Sequence, residues 1–277
     1  PLPGAVVKVL DDAGNVFEFS EGKPGVYVKT MKGEPGKIYH LELTTPDGKH
    51  IVSEPEILRK APAISGFSVE AIDQPFINNS GNEDSEKRLI LKLNTNVADF
   101  SERPYLRWRM DGEYEYHEVF SITKKICYVK HRPDLHNLRI FDTHELAGDL
   151  LFDEPILNTL LNYRFSDKYC FHVYQYAIGK REYEYWRTVG EIMTRQGNLF
   201  DPPPGTVRGN LSNVDDPEEL VAGYFSVSGV SYARHFVTPF SLGFYVEPRC
   251  TGFRNLPSEC YNCLLLPNST QTKPVYW

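Results

Sequence analysis

Apolar and polar positions alternate over short stretches along most of this chain. Ala5-Val6-Val7-Lys8-Val9-Leu10, Val16-Phe17-Glu18-Phe19, Gly25-Val26-Tyr27-Val28 and Ile38-Tyr39-His40-Leu41-Glu42-Leu43 have the period of half-buried strands. Turn chemistry separates them: Asp11-Asp12-Ala13-Gly14-Asn15, Lys32-Gly33-Glu34-Pro35-Gly36, and Thr45-Pro46-Asp47-Gly48, where Gly is free to take a positive φ. Strands at this spacing predict a small β-sandwich over residues 1–62. A unit of that size sits near the lower limit for a self-sufficient core, so it is expected to lean on the next domain.

Residues 53–63 carry Pro55 and Pro62 with few bulky apolar groups and read as the connector. Strands resume at residues 64–69, and the polar insert 78–84 reads as a solvated loop. Residues 89–93 and 105–110 read as a pair of strands, and residues 118–122 as another. Helical spacing of Ile156, Leu157, Leu160 and Leu161 predicts a short helix over 155–161. A longer one is predicted near 181–196, where Tyr185, Trp186, Val189, Ile192 and Met193 form one apolar stripe before the stop signal Gly197. Tyr169 to Tyr176 alternates as a strand, and residues 223–228 and 233–237 read likewise. The expectation is a mainly β protein: a small sandwich over 1–62, then a larger β-rich domain over 63–277 with one substantial helix.

Composition narrows the class. The chain has 277 residues, 41% hydrophobic and 24% charged, which is globular rather than disordered material. Its formal charge of −7 argues against a dedicated nucleic-acid binder, which needs a basic face for phosphates. No stretch approaches the roughly 20 apolar residues of a membrane-spanning helix. The chain opens at Pro1 without a signal pattern and reads as a processed or trimmed product.

Candidate chemistry is sparse. Cys250, Cys260 and Cys263 include a CxxC pair, half of a common zinc knuckle, but no second pair accompanies it. Cys170 lies in an apolar strand and reads as a buried, inert thiol. Cys127, Cys250, Cys260 and Cys263 remain as an even set, for which disulfides are the preferred reading, with three pairings open. No GxSxG elbow, HExxH or phosphate-cradling glycine loop occurs, so no catalytic residue, metal ligand or cofactor is assigned. His131 with His136, and His144 beside Glu145, read as solvated groups. Glu113 with Glu115, and Asp215-Asp216 with Glu218-Glu219, read as acidic loops. Tyr114, Tyr116, Tyr183 and Tyr185 alternate with charged residues, a pattern that packing accounts for before stacking on ligands does.

One resemblance spans nearly the whole chain. Tyr183-Glu184-Tyr185-Trp186 leads to Gly197-Asn198-Leu199-Phe200-Asp201-Pro202-Pro203, then to Gly209-Asn210-Leu211 and Val221-Ala222-Gly223-Tyr224-Phe225. The ending joins Cys260-Tyr261-Asn262-Cys263 to Pro274-Val275-Tyr276-Trp277, and the opening carries Pro3-Gly4-Ala5-Val6-Val7 and Gly25-Val26-Tyr27. In order and spacing these elements resemble a Bacteroidota lipoprotein family, the domain of unknown function 4249. Its members are often encoded beside SusC/SusD-type outer-membrane nutrient importers. The resemblance implies an immunoglobulin- or transthyretin-like first sandwich of the carboxypeptidase-regulatory kind. It also implies an outer-membrane, cell-surface location through an N-terminal lipid anchor, and favours disulfides over zinc. The family supplies no catalytic residues.

The motifs also have plain structural readings. Pro202 and Pro203 force an extended chain after the helix, Asn210 after Gly209 bonds backbone in a turn, and Tyr185 and Trp186 pack the helix onto the sheet. Gly223, Tyr224 and Trp277 are read as architecture too. The expected function is a non-enzymatic accessory lipoprotein of a SusC-like TonB-dependent transporter and its SusD-like lipoprotein. A stand-alone glycan- or peptide-binding surface protein is the alternative, and a hydrolase with dispersed carboxylates a third.

Overall fold

Strands β1 (Val6–Asp11), β2 (Val16–Lys23), β3 (Val26–Val28), β4 (Ile38–Thr44), β5 (His50–Ser53) and β6 (Glu56–Ile57) take up the alternating runs at the start of the chain. The computed structural model describes residues 1–119, 124–133, 138–194, 207–252 and 256–277. Ladders run β5-β4-β1-β2-β3, with β6 beside β4. Val7, Val9, Tyr39 and Ile51 are buried on one face. The hairpin between β4 and β5 turns at Gly48, which adopts φ +90°.

The chain then builds two facing sheets. β7 (Ile64–Ile77), β8 (Glu83–Asn96) and β12 (Leu150–Leu160) form a three-stranded sheet ordered β12-β8-β7. Residues 78–82 are the turn between β7 and β8, held by the Asn78 side chain, which accepts from the amides of Ser80 and Asn82. Opposite lie β9 (Tyr105–His117), β10 (Ile126–His131), β11 (Arg139–Asp142) and β13 (Tyr169–Ile178). Helix α1 (Lys180–Thr194) comes next, and the strand after it, β14 (Leu211–Asn213), returns to the first sheet to pair with β5. β15 (Gly229–Val237) and, beyond the short helix α2 (Pro239–Leu242), β16 (Ser269–Thr270) complete the second large sheet in the order β15-β13-β9-β10-β16.

Leu89, Leu91 and Leu93 of β8 project into the same core as Leu106, Trp108 and Met110 of β9 and Phe171 and Val173 of β13. Burial of each such side chain stabilises by about 1.5–3 kcal/mol. In the middle sits Gln175, fully buried yet satisfied: its carbonyl accepts from the Thr95 hydroxyl at 2.9 Å and the Trp108 indole at 2.8 Å. Its amide donates to the Pro62 carbonyl at 2.8 Å.

The molecule is mainly β with one substantial helix, but several local expectations change. Residues 155–161 are strand, not helix. Two register shifts interrupt the β12–β8 ladder, and the one between Pro155 and Leu157 turns both Ile156 and Leu157 inward. Adjacent apolar residues that share a bulge mimic helical spacing. Pro155 is tolerated because β12 is an edge strand. Residues 89–93 and 105–110 are not paired; they face each other across the core from different sheets. Residues 223–228 run extended without a ladder, save a bridge of Ser228 to Arg59. Glu118 and Val119 lie past the end of β9, and the rest of the strand expected there falls outside the described residues, as does Gly197. Among the described residues, no helix is long and apolar enough to cross a membrane.

Beyond β15 regular structure thins, and covalent bonds take over. Cys127 of β10 is joined to Cys263, and Cys250 to Cys260, leaving Cys170 as the buried free thiol. Burial pushes the Cys170 thiol up to about 12, so it stays protonated. The bonded pairs are 136 and 10 residues apart in sequence. By loop-closure entropy the longer bridge is worth about 5 kcal/mol and the shorter about 3. Replacing Cys127 and Cys263 together by Ala is therefore expected to lower the urea midpoint more than replacing Cys250 and Cys260. Thiol counting in denaturant without reductant should find one reactive group; five would refute the bridges.

Candidate functional site

Strands β15, β13, β9 and β10 lie side by side, and their alternate residues share the face turned away from the core. Register sets the rows: Asp111, His172 and Arg234 in one, Arg109, Tyr174 and Tyr232 in the next. This outward face is lined by aromatic rings and charges rather than the neutral polar residues of an ordinary solvated sheet. It holds an open cleft of about 790 Å³, bordered by Asp111, Glu113, Lys130, His172, Tyr232 and Tyr276 among others.

The side chains are fixed by one another. Tyr276 Oη donates to Glu113 Oε2 and lies 3.3 Å from His172 Nε2. His172 Nδ1 lies 2.6 Å from the Tyr232 hydroxyl, which is half-exposed. Arg109 stands 4.5 Å over the Tyr174 ring, and Arg234 4.4 Å over that of Tyr276. Asp111 is shared by Arg109 at 3.4 Å and Arg132 at 3.6 Å.

These contacts set the electrostatics. Burial would raise the Glu113 carboxyl, but its contacts with His172 and Tyr276 and the charge of Lys130 hold it below its ordinary value. Burial and the same carboxylate push the Tyr276 phenol up, keeping it a donor. The second oxygen of Glu113 is buried without a partner among the described residues. On the core side of β9, His131 Nδ1 lies 2.9 Å from the Tyr169 hydroxyl. Gly112 makes that possible, since a Cβ there would sit 1.9 Å from the hydroxyl. Burial, with the Arg164 charge, lowers His131 to about 4.

Two walls bound the face. At one end Trp277 donates to Glu115 Oε1 at 2.6 Å and lies between the rings of Tyr128 and Phe236, at 5.2 and 5.6 Å. At the other, helix α1 lays Trp186 on Arg107, whose guanidinium is 4.9 Å from that ring and 4.7 Å from Tyr176. Buried Glu182 accepts from the Trp186 indole and the Ser226 hydroxyl.

The remaining motif residues meet at the junction of helix, first sheet and returning chain. Asn210 is buried and its carboxamide pairs with both backbone groups of Phe225 at 2.8 Å, as a strand neighbour would. It also donates to Glu56, which accepts from the Tyr224 hydroxyl at 2.6 Å. Tyr224 packs tilted against Tyr185 of the helix, their centroids 4.9 Å apart. A Cβ on Gly209 would collide with the Gly223 carbonyl at 1.6 Å, so the two chain segments approach as only glycine permits. Pro202 and Pro203 lie outside the described residues.

Other groups singled out by sequence scatter. Glu113 and Glu115 are not loop residues but neighbours on the outward face of β9. Asp215 accepts from the His50 amide, and Glu219 pairs with Lys49, pinning the chain after β14 to the β4–β5 hairpin. His144 bonds Asp142, far in sequence from His131, and His136 lies outside the described residues. Sequence reading missed His172, Tyr174, Tyr232, Arg109 and Arg132 as members of one site. Their signal was outward alternation in three strands, but the adjacency of those strands was not in the pattern.

Residues 1–234 match the family model described as Domain of unknown function (DUF4249). No curated protein and no solved structure matches the chain.

Two outcomes are expected from this geometry. Asn210→Ala removes three hydrogen bonds in a buried position and is expected to cost about 2–4 kcal/mol in urea unfolding. His131 is lowered from 6.5 in the unfolded chain to about 4 in the native one. Its stabilising contribution is complete above 6.5 and is lost as pH falls toward 4, because only the unfolded chain binds the proton in that window. His131→Gln, which retains a partner for Tyr169, should flatten the urea midpoint between those pH values; an unchanged slope would count against this assignment.

Proposed function

The chain belongs to the DUF4249 family, and from that footing we propose that it is a non-enzymatic surface lipoprotein that captures ligand for a nutrient importer. In this reading it is an accessory subunit of a SusC-like TonB-dependent transporter and its SusD-like lipoprotein, held at the outer membrane by an N-terminal lipid anchor. The observation that carries the reading is the sheet-face cleft. Its rings and cations are locked in mutual contacts, which is the preorganisation that binding rewards. Its buried carboxyl, Glu113, is held below its ordinary value by His172, Tyr276 and Lys130 and so stands as a fixed charge in the cleft. Two disulfides support an oxidising compartment outside the cytoplasm.

The test is affinity purification of the full-length lipidated protein from native outer membranes in mild detergent, followed by mass spectrometry. Stoichiometric recovery of a TonB-dependent transporter with its SusD-like lipoprotein is expected. Recovery of the protein alone would overturn the importer assignment and leave a stand-alone glycan- or peptide-binding surface protein.

A further inference from the structure

The chemistry of the cleft names a ligand class, an inference that rests on reading the cleft as the capture site. Two cations, Lys130 and Arg132, line it with two carboxylates, Asp111 and Glu113, and two more, Arg109 and Arg234, stand beside it in the register rows of its Tyr174 and His172. Glu113 is already engaged by Tyr276. Asp111 serves two arginines at 3.4 and 3.6 Å, so each guanidinium spends one contact of its five donors there. Arg234 has no ion-pair partner among the described residues; it lies only on tyrosine rings. A guanidinium held over a ring by cation–π attraction still has N–H donors to give, which suits a carboxylate or sulfate.

The rest of the lining suits a hydroxylated ring. Tyr232 exposes 45% of its surface beside Tyr174, their centroids 5.0 Å apart, offering a face for the C–H side of a sugar. Asp111 and Asn268 supply acceptors among the donors. An extended peptide finds less here. β9 and β13, which floor the cleft, are paired on both sides, so over them it offers a peptide side chains only, and a backbone edge is left at its margin on β15. A volume of about 790 Å³ holds a short oligosaccharide.

We propose that this cleft binds an acidic saccharide, its carboxylate or sulfate seated on the Arg109, Arg132 and Arg234 guanidinium edges and a sugar ring resting on Tyr232. The full chain would be titrated calorimetrically with trigalacturonate, a sulfated chondroitin disaccharide, neutral galactotriose and triglutamate. Binding of an acidic saccharide is expected, about tenfold or more tighter than galactotriose, with weakening in high salt. Arg109→Ala and Tyr232→Ala should each lower that affinity about ten- to a hundredfold while leaving the urea midpoint near wild type. The better of the two acidic saccharides identifies the anionic group. Equal binding of galactotriose, tighter binding of triglutamate, or an Arg109→Ala affinity equal to wild type would each overturn the proposal. If no acidic saccharide binds yet the protein still co-purifies with a transporter, this inference fails and the importer assignment stands.

Discussion

The carboxamide of Gln175 fixes the register on which the rest depends. It is fully buried, and an unmet amide there would cost about 1–3 kcal/mol for each group left unpaired. It is met only where β8 delivers Thr95, β9 delivers Trp108 and the connector delivers the Pro62 carbonyl. Sliding β13 by one residue would carry this amide to solvent and drive Tyr174 and Tyr176 into the core. Apolar complementarity alone tolerates some repacking; a polar group with three named partners does not. The outward row of His172, Tyr174 and Tyr176 is thus a consequence of what happens on the inward side of the same strand.

The two walls of the outward face share a common scheme. Each sets a tryptophan on the outward face with its indole N–H on a carboxylate, Trp186 on Glu182 and Trp277 on Glu115. Each also sets a cation against the ring, Arg107 in one case and Lys168 in the other. Neither wall is held locally. The helix is steadied through Tyr185 and Tyr224 by the Asn210–Glu56 junction, which reaches back to the first sheet. The C-terminal segment is steadied through the Cys127–Cys263 bridge and the β10–β16 pairing. Residues spread over the whole chain therefore hold the two ends of this face.

Much of this was legible in the sequence because period-two alternation is a local signal. β1, β2, β4, β13 and β15 all announce themselves that way, and the stripe from Tyr185 to Met193 announces α1. The signal failed where the backbone departs from regularity, as when the bulge at Ile156 and Leu157 presented two inward neighbours and read as helix. It failed again at Phe225, where a side-chain amide rather than a strand satisfies the backbone. Partner choice lay beyond it altogether. Leu91 and Trp108 share a core and not a sheet, and the row joining Arg109, Tyr174 and Tyr232 spans well over a hundred residues. The cysteines were legible as an even set, while their pairing required the fold.

Net charge gives a poor guide to what such a face attracts. The chain carries −7 overall, which read as a sum would repel an anion. At physiological ionic strength, however, the screening length is about 8 Å, so an anion seated in the cleft responds to charges within roughly that distance. Around it stand Arg109 and Arg132, which share the half-buried carboxylate of Asp111, and Arg234, which has no ion-pair partner among the described residues. Stacking on tyrosine also removes much of the rotamer entropy that a free arginine would lose on binding, so each contact retains more of its energy. The acidic remainder of the surface then acts on approach rather than on affinity, keeping molecules of the protein apart without cancelling the local field.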